Sequence, residues 1–181
     1  MSRLVFVTGG ARSGKTGFAM SLAEKAYNVN GGGLVYLATA TAGDAEMEER
    51  ISRHKDERGA GWRTIEEPID IAGALVSLGQ DRGTVVLDCL TLWLSNLMMA
   101  DDLGFESVAR AKAAELLYML KDADGTVIVV SNEVGLGIVP DNPVARRFRD
   151  VAGWVNRTLA ESADEAYLVV AGMPIKIKGA I

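Results

Sequence analysis

Residues Gly9-Gly10-Ala11-Arg12-Ser13-Gly14-Lys15-Thr16 satisfy the spacing GxxxxGK(S/T), and the flanking chain supplies the context that this spacing needs. Ahead of it, Leu4-Val5-Phe6-Val7 is a short apolar run with β-branched residues and reads as a buried strand. Behind it, the stretch from Gly17 to Ala26 has helical spacing and few breakers. Strand, glycine loop and helix in that order make a phosphate cradle. Backbone N–H groups of the loop and helix start point at an anion, Lys15 reaches β- and γ-phosphates, and the Thr16 hydroxyl can ligate Mg2+. A chance match to the four fixed positions is on the order of one in a hundred for a chain of this length. Binding of a nucleoside triphosphate is the expectation that follows.

Strand-like and helix-like runs then alternate along the chain. Leu34–Ala38, Thr84–Asp88, Thr126–Val130 and Ala166–Val170 are near-continuous apolar runs, as strands covered on both faces of a parallel sheet should be. The clusters Asn30–Gly33, Asp81–Gly83 and Asp124–Gly125 read as turns in front of them. Trp62–Ile65 is expected to add a short strand, and Ile175–Lys178 an edge strand with its lysines outward. Helices are expected over about 15–28, 44–58, 69–79, 91–100, 105–122 and 143–162. The pattern predicts a three-layer α/β domain spanning 1–181: a P-loop NTPase fold of RecA-like type, mostly parallel, with an antiparallel edge strand.

Composition removes several classes. A net charge of −5 argues against a broad nucleic-acid surface, which would need a basic face. The longest apolar region, Thr84 to Ala100, carries Asp88, Ser95 and Asn96 and does not read as a membrane span. One cysteine, Cys89, cannot form an internal disulfide, and the short apolar run before the glycine loop is no signal peptide. A cytoplasmic location is expected.

In open α/β sheets ligands sit beyond the carboxyl ends of the strands, which here places Thr8-Gly9, Ala38–Thr41, Asp88, Ser131–Glu133 and Ala171-Gly172 on one rim. Asp88 ends an apolar strand, where an acid can hold Mg2+ directly or through water. Its alternative role is to cap the helix starting near Thr91. The nucleotide-binding set is thus expected to be Gly9 to Thr16 with Asp88, and Glu66 is assigned to the same set. Thr16 and Asp88 are the metal candidates. His54, the chain's one histidine, lies in the charged stretch Arg50–Arg58, where helical spacing puts Arg50, His54 and Arg58 on one face. Flanking cations favour the neutral, nucleophilic imidazole. A solvated surface histidine is the alternative, and spacing alone favours it. Asn132–Pro140 could shape a substrate pocket or simply be a turn. One of Arg146, Arg147 and Arg149 could reach the phosphates, or all could be solvated. Cys89 reads as a core residue rather than a nucleophile, and the three tryptophans as core or subunit-contact residues.

The strings GGARSGKT, RISRHKDERGAGWRTIEEP at 50–68, LDCLTLWLSN at 87–96, NEVGLGIVP at 132–140 and RRFRDVAGWVN at 146–156 resemble one family over nearly the whole chain. That family is adenosylcobinamide kinase/adenosylcobinamide-phosphate guanylyltransferase, of cobalamin nucleotide-loop assembly. Gly59 and Arg157 depart from it, standing where members commonly have Pro and Gln. The resemblance implies ATP or GTP as phosphoryl donor, GTP as guanylyl donor, Mg2+, a corrinoid substrate and a homo-oligomer, with the family tending to trimers. It implies too that His54 is the residue that becomes guanylylated, with Lys15 acting in both reactions. The rival readings are a monofunctional P-loop kinase for a small molecule and, from another class, a nucleotide-dependent switch.

Overall fold

A computed structural model describes residues 2–41, 59, 61–79, 81–121 and 124–179. The elements in chain order are β1 (Ser2–Gly9), α1 (Lys15–Asn30), β2 (Leu34–Ala38), β3 (Trp62–Glu66), α2 (Ile71–Ser77), β4 (Asp81–Asp88), α3 (Leu90–Ala100), α4 (Phe105–Lys121), β5 (Asp124–Asn132), α5 (Pro143–Ser162), β6 (Glu165–Val170) and β7 (Met173–Lys178). The helix expected over 44–58 lies outside the described residues.

The strands form one seven-stranded sheet in the order β3-β2-β4-β5-β1-β6-β7. Every neighbouring pair is parallel except β6 with β7, which is antiparallel. The mostly parallel sheet with its antiparallel edge is therefore as the sequence predicts. Alternation along β1 sorts the core into two layers. Leu4 and Phe6 share one apolar cluster with residues of α2, α3, α4 and α5, while Val5 and Val7 share the other with Ala19 and Ala23 of α1. Each fully buried Leu, Ile or Phe stabilises the fold by about 1.5–3 kcal/mol relative to exposure. Trp93, Phe6, Leu87 and Ile128 are among the largest side chains so buried.

Some sequence expectations need correction. Asp81–Gly83 and Asp124–Gly125 belong to β4 and β5 instead of preceding them as turns. Their glycines are needed for lateral approach: a Cβ on Gly125, whose φ is 108°, would lie 2.3 Å from the Gly83 carbonyl oxygen. Gly83, at φ 63°, has the Gly33 carbonyl oxygen 2.4 Å from its own virtual Cβ. The expected helix over 69–79 is shortened to Ile71–Ser77, because Asp70 caps it by accepting from the Gly73 N–H. In β7 every residue is exposed, its lysines included, as expected of the edge strand, and both lysines are nevertheless tied down. Lys176 Nζ meets Glu165 at 2.9 Å, and Lys178 Nζ donates to the Ala160 and Glu161 carbonyls at 3.1 and 2.7 Å. Helix α5 ends beside them, and its unsatisfied carbonyls attract the ammonium.

Candidate active site

The chain leaves β1 at Gly9, turns through 10–14 and enters α1 at Lys15. A Cβ on Gly9 would stand 2.5 Å from the Val169 carbonyl oxygen and 2.7 Å from Ser13 Oγ, so the strand can end there only on glycine. Gly14 sits at φ 91° with the Gly172 Cα 3.3 Å from its virtual Cβ, and this left-handed residue turns the loop into the helix. The loop is tied back by the Gly172 N–H, which donates to the Ser13 carbonyl at 2.9 Å, and by the Ser13 N–H to Gly10 O at 3.3 Å. Helix α1 starts without a side-chain cap and without an acid in its first turn. Its positive end is accordingly free to serve an exogenous anion. Lys15 is buried, and its Nζ donates to Gly10 O at 3.0 Å, arching over the loop. Thr8 Oγ1 and Ser13 Oγ are buried without hydrogen-bond partners among the described residues. Ala11 and Arg12 are exposed, Arg12 at a left-handed φ of 55°.

Asp88 ends β4, separated from the loop's strand by β5. Its Oδ2 accepts from Thr16 Oγ1 at 2.8 Å and from the Tyr36 hydroxyl at 2.6 Å. The capping alternative does not hold, since the N-cap of α3 is Cys89 and no side-chain cap bond forms. Carboxylate and hydroxyl oxygens brought together beside the phosphate loop are hard donors of the kind a small divalent cation takes alongside water and phosphate.

Beneath the rim a polar network joins the strand ends. Thr39 Oγ1 accepts from the Cys89 N–H and donates to the Cys89 carbonyl, both at 2.8 Å. Asn96 Nδ2 donates to the carbonyls of Thr39 at 2.8 Å and Pro68 at 3.1 Å. Ser131 Oγ donates to Asn156 Oδ1 at 2.6 Å, and Asn156 Nδ2 donates to Asn132 O at 3.0 Å. Burial, helped by the charge of Asp88, pushes the Cys89 thiol up to about 11. That neutral, buried thiol belongs to the core.

Other sequence candidates fall elsewhere. Glu66 ends β3 in register with Ala38 and is exposed; β2, β4 and β5 lie between its strand and β1. It shares the rim without joining the Thr16–Asp88 group. His54 lies outside the described residues, while Gly59 adopts φ 70°, a value closed to the proline that family members commonly carry there. Arg146 donates to the Pro140 and Asp141 carbonyls, Arg147 pairs with Asp102, and Arg149 pairs with Asp150. The loop after β5 is rooted at the cradle by the Glu133 N–H, which donates to Gly9 O at 3.0 Å, and it exposes Leu136 and Ile138. Sequence reasoning missed Tyr36, whose only signal is a phenol within a buried aliphatic strand, a group that requires a partner.

Comparison with known proteins bears on this arrangement. The profile described as cobinamide kinase / cobinamide phosphate guanyltransferase (CobU) matches residues 5–177. The bifunctional adenosylcobalamin biosynthesis protein CobP of Pseudomonas aeruginosa is 42% identical over 173 residues, covering 96% of each chain. The proteins named bifunctional adenosylcobalamin biosynthesis protein CobU from Salmonella typhimurium and Escherichia coli are 38% and 36% identical, each alignment covering 97% of this chain and 99% of the relative. Among solved structures, a KaiC-like protein from Pyrococcus horikoshii aligns over 92% of this chain and 70% of its own, with TM-score 0.47 and 16% identity.

Proposed function

This chain belongs to the cobinamide kinase / cobinamide phosphate guanyltransferase family, and from that membership we propose that one phosphate cradle serves two successive reactions on a corrinoid. The observation that carries the reading is the cradle itself, Gly9 to Thr16 with Asp88 hydrogen-bonded to Thr16 at 2.8 Å. In the first reaction the loop amides and Lys15 hold the triphosphate of ATP or GTP. The aminopropanol hydroxyl of adenosylcobinamide attacks the γ-phosphorus, the bond to the β-phosphate oxygen breaks, and nucleoside diphosphate leaves. Positioning and charge stabilisation supply most of the rate, and both are functions of the loop.

In the second reaction the same grip on the β- and γ-phosphates of GTP makes them a leaving group. The neutral imidazole of His54 attacks the α-phosphorus, forming a P–N bond as pyrophosphate departs. A phosphate oxygen of adenosylcobinamide phosphate then displaces the imidazole, giving adenosylcobinamide-GDP and restoring His54. Thr16 and Asp88 fit a resident Mg2+, which when bound would neutralise charge between the β- and γ-phosphates. Glu66, exposed at the far end of the rim, is assigned to the nucleotide's non-phosphate portion. The same reading carries a homo-oligomer, by family habit a trimer, and a cytoplasmic location; among the described residues no helix is long and apolar enough to cross a membrane.

The test is incubation with GTP labelled at the α-phosphorus, followed by alkaline denaturing electrophoresis. An acid-labile, alkali-stable label is expected on the native protein. In His54→Ala it should disappear while phosphorylation of adenosylcobinamide persists. A native protein that never retains label would establish the monofunctional kinase instead.

A further inference from the structure

We propose that Tyr36 is the positioning residue of the cation-bearing carboxylate, its phenol fixing Asp88 in the orientation that meets Thr16 and a Mg2+–nucleotide. The inference rests on the assignment of Asp88 to Mg2+ made above and goes beyond it to a residue that touches neither nucleotide nor cation.

The geometry starts from strand register. Tyr36 of β2 stands opposite Val86 of β4, two residues before Asp88. Side chains two apart on a strand share a face, so Tyr36 and Asp88 are diagonal neighbours on the α1 side of the sheet. A phenol spans that diagonal where a shorter hydroxyl would not. Its oxygen lies 2.6 Å from Asp88 Oδ2, the same atom that accepts from Thr16 Oγ1 at 2.8 Å. Both hydroxyls therefore load one oxygen, and among the described residues Oδ1 carries no hydrogen bond.

An aspartate's terminal torsion is broad, and one hydroxyl contact would leave the carboxylate free to swing. The second contact removes that freedom before nucleotide arrives. Tyr36 can do this because it is itself immobilised. It is 5% exposed, lies in the apolar cluster under α1, and meets the Trp62 ring edge-on at a centroid distance of 6.3 Å. A residue on a buried strand aims more accurately than one on a loop. Buried tyrosine hydroxyls need a partner in any protein. Here the partner is the one acid whose orientation the phosphate site depends on.

The experiment is calorimetric titration of the full chain with a non-hydrolysable GTP analogue, once in Mg2+ and once in EDTA, for the native protein, Tyr36→Phe and Asp88→Asn. Tyr36→Phe removes a single oxygen and keeps the ring against Trp62. Its gain in affinity on adding Mg2+ is expected to fall about tenfold, with affinity in EDTA changed by less than about twofold, as for loss of an outer partner to a metal-binding carboxylate. An undiminished Mg2+ gain in Tyr36→Phe overturns the proposal, and so does equal weakening in both media, which marks a merely structural hydroxyl. Asp88→Asn separates the two levels. If it too keeps the full Mg2+ gain, the assignment of Asp88 fails and this inference with it. If only Asp88→Asn loses the gain, the inference about Tyr36 alone is wrong.

Discussion

Lys15 already has an acceptor, the Gly10 carbonyl oxygen at 3.0 Å, so the loop holds the ammonium over the place where phosphate oxygens would lie. If one cradle serves both reactions, as proposed, removing its preorganised charge should damage both. Lys15→Ala is expected to lower kinase and guanylyl-transfer rates alike by about 100-fold or more, measured as separate initial rates on adenosylcobinamide and its phosphate. A variant with intact transfer would show that the GTP phosphates are held elsewhere. Residues of this kind were legible in the chain because the motif names both the residue and its spacing. Tyr36 was not. Nothing in Leu34-Val35-Tyr36-Leu37-Ala38 says which acid lies diagonally opposite, since that depends on β2 pairing with β4, two elements far apart in sequence. The role proposed for His54 rests on family resemblance alone, because a histidine in a charged run looks the same whether or not it reacts.

Among elements, the sequence was clearest where local chemistry decides the structure. Helix α5 runs from Pro143 to Ser162, as the pattern predicts, because Asn142 accepts from the Val144 and Ala145 N–H groups and proline fits the first turn. Strand starts were less legible, since glycine marks both turns and close contacts. Gly33, Gly83 and Gly125 abut near the starts of β2, β4 and β5, and a methyl added to Gly83 or Gly125 meets the neighbouring backbone. Gly125→Ala should cost about 2 kcal/mol or more, combining a left-handed φ with a clash. Gly153→Ala, in α5 with open space around its virtual Cβ, should be neutral or stabilise by up to about 1 kcal/mol. Urea unfolding of both variants checks the contrast; equal effects would refute the packing argument. Strand order was beyond local reasoning altogether, since inserting β5 between β1 and β4 is a choice among distant pairings.

Across the whole molecule, the edge of the sheet is fastened by Glu165. Its carboxyl is held down to about 2, against an ordinary 4.5, first by the Tyr167 hydroxyl and then by Arg3 and Lys176, with burial opposing them. These partners join the start of β1 to β6 and β7. Because the folded value lies below the unfolded one, the stabilisation is complete above pH 4.5 and is lost as pH falls toward 2. After allowance for solvent screening, the native protein should lose about 1 kcal/mol more than Glu165→Gln between pH 5 and pH 3. Urea midpoints at the two pH values give the comparison, and parallel losses would remove Glu165 from the account.

Asn96 carries a further consequence. Its amide nitrogen donates to the carbonyl oxygens of both Thr39 and Pro68, which therefore lie within about 6 Å of each other. The sequence between those residues contains His54. The ends of β2 and of β3 are pinned side by side on helix α3 by that amide, at the rim that carries Asp88. The ordering of these two strand ends is thus complete on folding and adds no entropic cost when a nucleotide binds at that rim.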